Sequence, residues 1–125
     1  MSDFTGDLQV LLYTQPEQFA VCRDFYRAVL ADEPYYSWDE GPGDCGATFR
    51  AGRGTVSVLC QEHPGRQGPS VLSLETEDVD GVFLRVRSLP GLRIVKEPHT
   101  KPYGTRCFFM QDPCGNQINV FALGR

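Results

Sequence analysis

Positive charge is in short supply in this chain. Its 125 residues carry 12 Lys and Arg against 16 Asp and Glu, a formal net charge of −4. A nucleic-acid binder needs a basic face, so no nucleic-acid partner is expected. Histidine is scarcer still, with two residues, His63 and His99. No apolar run approaches the roughly 18 residues of a membrane-spanning helix, so no membrane partner is expected either. The stretch Met1-Ser2-Asp3-Phe4-Thr5-Gly6-Asp7 lacks a basic region followed by an apolar one, the mark of a signal peptide. Five cysteines occur without a CxxC pair. They are expected as small apolar residues of strands and helices in a reducing cytoplasm. Cys114, in a turn, is the candidate for a reactive thiol.

Turn formers are plentiful, with 13 Gly and 9 Pro, and the hydrophobic fraction is 41%. That balance suits one compact domain of many short strands with a core of its own. Leu8 to Tyr13 reads as a buried strand. A helix is expected to begin at Pro16, capped by Thr14 or Gln15. Its apolar stripe is Phe19, Cys22, Tyr26, Val29 and Leu30, with Phe25 at the margin. Three strands follow, at 34–38, 45–50 and 55–61, separated by Gly-rich turns. A polar Gly/Pro linker covers 62–69, and the order then repeats. Val71 to Glu75 is a strand. Asp78 caps a helix with the stripe Val79, Val82, Phe83, Val86 and Leu89. Strands at 93–96, 105–111 and 117–122 complete the second half.

The fold class is therefore α+β, a single domain built from two βαβββ modules at about 7–62 and 69–123. The last two strands flank Asp112-Pro113-Cys114-Gly115-Asn116. Pro113 presets a turn there, and Gly115 and Asn116 tolerate positive φ.

Three segments occur in order: Asp24-Phe25-Tyr26-Arg27-Ala28-Val29-Leu30, Glu77-Asp78-Val79-Asp80, and Tyr103-Gly104-Thr105-Arg106 leading to the Asp112–Asn116 turn. Together they resemble the vicinal oxygen chelate superfamily, which includes glyoxalase I, extradiol dioxygenases, fosfomycin-resistance enzymes and bleomycin-resistance proteins. The resemblance implies curved mixed sheets around a cleft, completed in short members by a second copy of the chain. It also implies a divalent metal held by His, Gln or Glu from the first strand of each module and from the last strand. Gln9 falls near the first of those positions. Val71, at the second, cannot bind a metal. Asn119 stands where the last strand would carry Glu. His63 and His99 are assigned to loops. Glu75 shares strand parity with Ser73 and could join Gln9 and a loop histidine in a divergent site. Ser73 and Cys107 have no base nearby in the sequence to make them nucleophiles.

Without its metal, such a cleft offers aromatic surface. Leu11, Tyr13, Trp38, Phe49, Tyr103, Phe109 and Asn119 are the expected ligand-binding residues, with no metal ligand, cofactor or catalytic residue assigned. Tyr103 takes its place in this set from the resemblance. The expected activity is binding and sequestration of a small aromatic molecule, such as an antibiotic, by a homodimer. The acidic balance favours a cationic ligand. The alternatives are a glyoxalase-like lyase or isomerase with a divergent metal site, and a metal-free biosynthetic enzyme using Glu75, Tyr13 or Tyr103 as acid or base.

Overall fold

The computed structural model describes residues 8–62 and 71–124. The chain divides into two compact units, 1–64 and 65–125. Of the residues singled out above, His63 lies outside the described residues.

The first unit runs β1 (Gln9–Tyr13), α1 (Phe19–Leu30), β2 (Tyr36–Asp39), β3 (Cys45–Ala51) and β4 (Gly54–Cys60). Its sheet has the strand order β1-β4-β3-β2. β1 pairs with β4 in parallel, and the other ladders are antiparallel. Period-2 alternation gives the sheet two faces. Leu12, Ala47, Phe49, Val56 and Val58 are all buried, and α1 packs against β3 and β4. Gln9, Leu11, Tyr13, Thr48, Ser57 and Leu59 have the opposite parity and form the open face.

Helix α1 starts three residues later than Pro16. Thr14 is tied to the sheet, its N–H and hydroxyl both donating to the Leu59 carbonyl at 2.8 and 3.2 Å. It therefore cannot cap a helix. Residues 16–18 form a turn instead, and Gln18 at the N-cap makes no side-chain capping bond. The buried stripe is Cys22, Phe25, Tyr26 and Val29. This i, i+3, i+4, i+7 set puts Phe25 at the centre of the stripe, while Phe19 and Leu30 are half-buried at its edges.

The second unit runs β5 (Val71–Glu75), α2 (Val79–Val86), β6 (Arg93–Thr100), β7 (Arg106–Gln111) and β8 (Gln117–Ala122). Its order, β5-β8-β7-β6, repeats the first topology, with β5 and β8 parallel. Asp78 caps α2 by accepting from the Gly81 N–H at 3.0 Å, as its position predicts. Phe83 meets Phe108 edge to face, centroids 5.3 Å apart, over a core that includes Met110, Ile118 and Val120.

The Asp112–Asn116 turn is held by a buried carboxylate. Asp112 Oδ1 accepts from the backbone N–H groups of Cys114 and Asn116 at 2.9 and 2.8 Å, and Oδ2 accepts from Asn116 Nδ2 at 2.7 Å. Gly115 alone in this turn takes positive φ, at 88°. Strand β6 continues through Pro98 to Thr100, past the expected end at Lys96. It is an edge strand with register shifts between Ile94 and Lys96 and between Lys96 and His99, which is where a proline is tolerated. His99 is therefore on a strand and not in a loop.

Candidate functional site

Ladder register sets the open face of the first unit. Two rows cross it, Leu11–Ser57–Thr48–Tyr36 and Tyr13–Leu59–Gly46–Trp38. They form a hollow of about 360 Å³ together with Gln9, Tyr35 and Gln61. Its floor is a chain of neutral polar groups. Gln9 Nε2 donates to Ser57 Oγ at 3.0 Å, and the Thr48 and Ser57 hydroxyls share a bond of 2.8 Å. Both hydroxyls are buried.

The wall is aromatic. Tyr36 and Trp38 lie with ring centroids 5.9 Å apart and planes inclined by 35°. Tyr35 sits under the Arg50 guanidinium, 4.4 Å from ring centroid to Cζ. Trp38 is pinned on two sides. Its indole N–H donates to Asp44 Oδ1 at 2.9 Å, and the same oxygen accepts from Gln61 Nε2 at 3.2 Å. The indole N–H, and after it the Gln61 amide, hold the Asp44 carboxyl below its ordinary range. On its other side the ring occupies the space over Gly46, where any Cβ would collide with it. Glycine is needed there for close approach and not for its backbone angles.

The open face of the second unit carries the equivalent rows, Ser73–Asn119–Phe109–Lys96 and Glu75–Phe121–Cys107–His99. A smaller hollow of about 250 Å³ is lined by Ser73, Lys101, Tyr103, Phe109, Asn119 and Phe121, with Thr105 and Cys107. Asn119 Nδ2 donates to Ser73 Oγ at 3.0 Å. Asn119 Oδ1 is buried and has no hydrogen-bond partner among the described residues.

The expected ligand residues thus divide between two faces. Leu11, Tyr13 and Trp38 line the first hollow, and Tyr103, Phe109 and Asn119 line the second. Phe49 lines neither; it is 0% exposed and has the parity of Ala47, on the helix-covered face. The hollows also bring in residues outside the expected set: Gln9, Tyr35, Tyr36, Thr48, Ser57, Leu59 and Gln61 in the first, and Ser73, Lys101, Thr105, Cys107 and Phe121 in the second. The signal for Thr48 and Ser57 was a polar residue at period 2 inside an otherwise apolar run.

These donors do not fit a divalent metal. Such an ion needs several anionic or imidazole ligands converging on one point. The floor of the first hollow offers an amide and two hydroxyls, already bonded to one another. On the second face, Asn119 and Ser73 are neutral, Val71 is apolar, and Glu75, Cys107 and His99 do not gather into a three-donor cluster. Within each unit taken alone, no three His, Cys, Asp or Glu donors cluster among the described residues.

Residues 17–120 match the Glyoxalase/Bleomycin resistance protein/Dioxygenase superfamily. The chain belongs to this superfamily. Solved structures of the same fold include TioX from Micromonospora sp. ML1, which is 21% identical, with 94% of this chain and 98% of that chain covered and a TM-score of 0.75. A glyoxalase/bleomycin resistance protein from Catenulispora acidiphila is also 21% identical, covering 95% and 99%, with a TM-score of 0.70. Lactoylglutathione lyase from Agrobacterium tumefaciens is 21% identical as well, covering 94% and 93%, with a TM-score of 0.68. At such identities the likeness concerns the fold, because superfamily folds host many chemistries. No curated protein matches the sequence.

Proposed function

We propose that this superfamily member binds a small planar aromatic molecule on the open face of its first unit and sequesters it without metal chemistry. The observation that carries this reading is the pinned indole. A hydrogen bond to Asp44 and a glycine beneath the ring hold Trp38 in place before any ligand arrives. Little side-chain ordering is then left to oppose binding. Tyr13, Tyr35 and Tyr36 supply further ring surface, and the Gln9–Ser57–Thr48 floor supplies neutral hydrogen-bonding groups. Asp44, bonded to the indole, and Asp39 and Glu40, next to Trp38 in the sequence, support a cationic ligand over an anionic one, opposed at Tyr35 by the Arg50 guanidinium. Leu11, Tyr35 and Tyr36 remain 42%, 52% and 59% exposed. That apolar surface suits closure of the hollow by a second copy of the chain. The bleomycin-resistance name carried by a solved relative supports an antibiotic as the ligand class.

The test is a titration of the purified chain with planar cationic aromatic antibiotics, following the emission of its single tryptophan. Saturable quenching at one ligand per chain, unchanged by a chelator, is expected. Binding that disappears with the chelator, or no saturable change across such a set of ligands, refutes the proposal.

A further inference from the structure

We infer that Cys107 and His99 form a nucleophile–base pair at the hollow of the second unit, and that the pair captures small planar α,β-unsaturated carbonyl compounds by conjugate addition. The two residues face each other across the β6–β7 ladder. Cys107 Sγ lies 3.5 Å from His99 Nε2. The other ring nitrogen, Nδ1, is 2.8 Å from the Glu97 carbonyl oxygen. A carbonyl can only accept, so Nδ1 carries the ring proton. The lone pair of Nε2 is thereby turned toward the thiol. Nucleophile, base and a third group that orients the base are the parts an activated thiol requires. The imidazole plane is further set by Phe109, stacked at 6.2 Å and 26°.

The surroundings indicate the electrophile. Cys107 lines the hollow with the rings of Phe109, Phe121 and Tyr103, which suit a flat occupant. Lys101 Nζ, 5.7 Å from the Phe109 ring centroid, supplies a cation beside that ring. Asn119 Oδ1, buried and without a partner among the described residues, calls for a donor on the ligand. A cyclic unsaturated imide or amide carries all three features: a plane, a carbonyl and an N–H.

In the step, the Cys107 proton passes to His99 Nε2, and the Sγ electron pair forms a bond to the β-carbon. The C=C π pair shifts to the carbonyl oxygen as an enolate, which Lys101 stabilises. The imidazolium then returns the proton to the α-carbon. No group leaves, and no oxidant or reductant is needed. This inference stands apart from the aromatic hollow of the first unit and does not require it.

Two other thiols are built-in controls. Cys45 and Cys60 are buried free thiols of the first unit; Cys107 is equally buried, at 3% exposed, and differs from them in lining a hollow beside a histidine. Burial, with Cys60 beside it, pushes the Cys45 thiol up, and Cys60 Sγ donates to the Pro42 carbonyl at 3.1 Å. The experiment treats the full chain with a limiting amount of maleimide at neutral pH and maps the adducts by peptide mass spectrometry. Cys107 is expected to label at least about tenfold faster than Cys45 and Cys60. His99→Asn preserves a donor for the Glu97 carbonyl but removes the base, and should slow Cys107 labelling by roughly tenfold to a hundredfold, at or below the low end of general-base effects. Cys107→Ser should abolish this adduct while leaving Trp38 emission and its quenching by aromatic ligands unchanged. Labelling of Cys107 no faster than Cys45 or Cys60 in the unmodified chain overturns the inference, whether or not any variant folds. So does a wild-type rate in a folded His99→Asn protein.

Discussion

Gly46→Ala is the most direct probe of the indole's placement. A Cβ built on Gly46 would stand 2.6 Å from Trp38 Cζ2 and closer still to two other ring atoms. Neither the strand backbone nor a rigid ring yields by that much. The indole must swing away, and its bond to Asp44 goes with it. Overpacking of this kind costs about 1–3 kcal/mol. The lost bond to Asp44 lies at an exposed, solvent-screened site and adds little to that. A net destabilisation of about 2 kcal/mol follows, or a fall in Tm of roughly 6–10 °C for a chain of this size. Removing one aromatic wall from the hollow should cost about 0.5–1.5 kcal/mol of ligand binding, which is roughly 2- to 12-fold in Kd. Because Trp38 is the single tryptophan, its emission reports the movement directly. A red shift and greater quenching by acrylamide are expected. Trp38→Phe removes the indole's second ring, so the cost of Gly46→Ala should shrink sharply in that background, by the logic of a double-mutant cycle. Unaltered emission, or the same loss of stability with and without the indole, would refute the account.

Phe49→Ala should cost about 3–5 kcal/mol in denaturant unfolding by opening a core cavity. It should leave ligand affinity per folded molecule unchanged, because Phe49 is on the face opposite the hollow. Asp112→Ala leaves the backbone N–H groups of Cys114 and Asn116 without their acceptor in a partly buried turn, and should cost about 1–3 kcal/mol by thermal or chemical unfolding. For Asp44, the folded-state carboxyl lies below its ordinary value of 3.8. Its bond to Trp38 is therefore fully present above about pH 4 and is lost as pH falls through the lower folded-state value. Trp38 emission should titrate only below pH 4, and Asp44→Asn should remove that titration.

Much of the fold was legible because period 2 and turn chemistry agree along this chain. β5 and β8 occupy the residues expected of them, 71–75 and 117–122. The two-module order was readable for the same reason. What the sequence hid was tertiary. Thr14 has the chemistry of a helix cap, but the Leu59 carbonyl claims both of its donors. Pro98 reads as the end of a strand, yet at a sheet edge its missing N–H removes no ladder bond. A strand ending at Lys96 puts His99 in a loop and hides its pairing with Cys107 across the β6–β7 ladder. Aromatic character alone points Phe49 to the cleft, but register puts it on the helix-covered face. Ala47, two residues before it, and its ladder partner Val56 are both buried and show which face it shares. Asn119, by contrast, takes its place on the open face from the resemblance, and the apolar Ile118 and Val120 on either side agree with that parity.

The two units make a sharper point about where function is encoded. Their topologies are the same and their rows correspond, apart from the register shifts in β6, so each open face has matching positions to fill. At one of them, Tyr13–Leu59–Gly46–Trp38 in the first unit corresponds to Glu75–Phe121–Cys107–His99 in the second. The third strand carries Gly46 in one case and Cys107 in the other. The edge strand carries an indole in one and an imidazole in the other. Glycine lets the edge aromatic lie down over the sheet and become a binding wall. Cysteine has a side chain that holds the edge ring to one side, where Nε2 can meet Sγ. On the two proposals made above, the choice between stacking and nucleophilic chemistry rests on one cross-strand pair per unit, within a shared strand order. A Cys107→Gly, His99→Trp exchange should therefore convert the second face toward the first. The expected sign is a second, ligand-quenchable tryptophan emission together with loss of maleimide capture at that face. If the new indole proves fully solvent-exposed and unquenched by ligand, register equivalence is not sufficient to set the ring's placement.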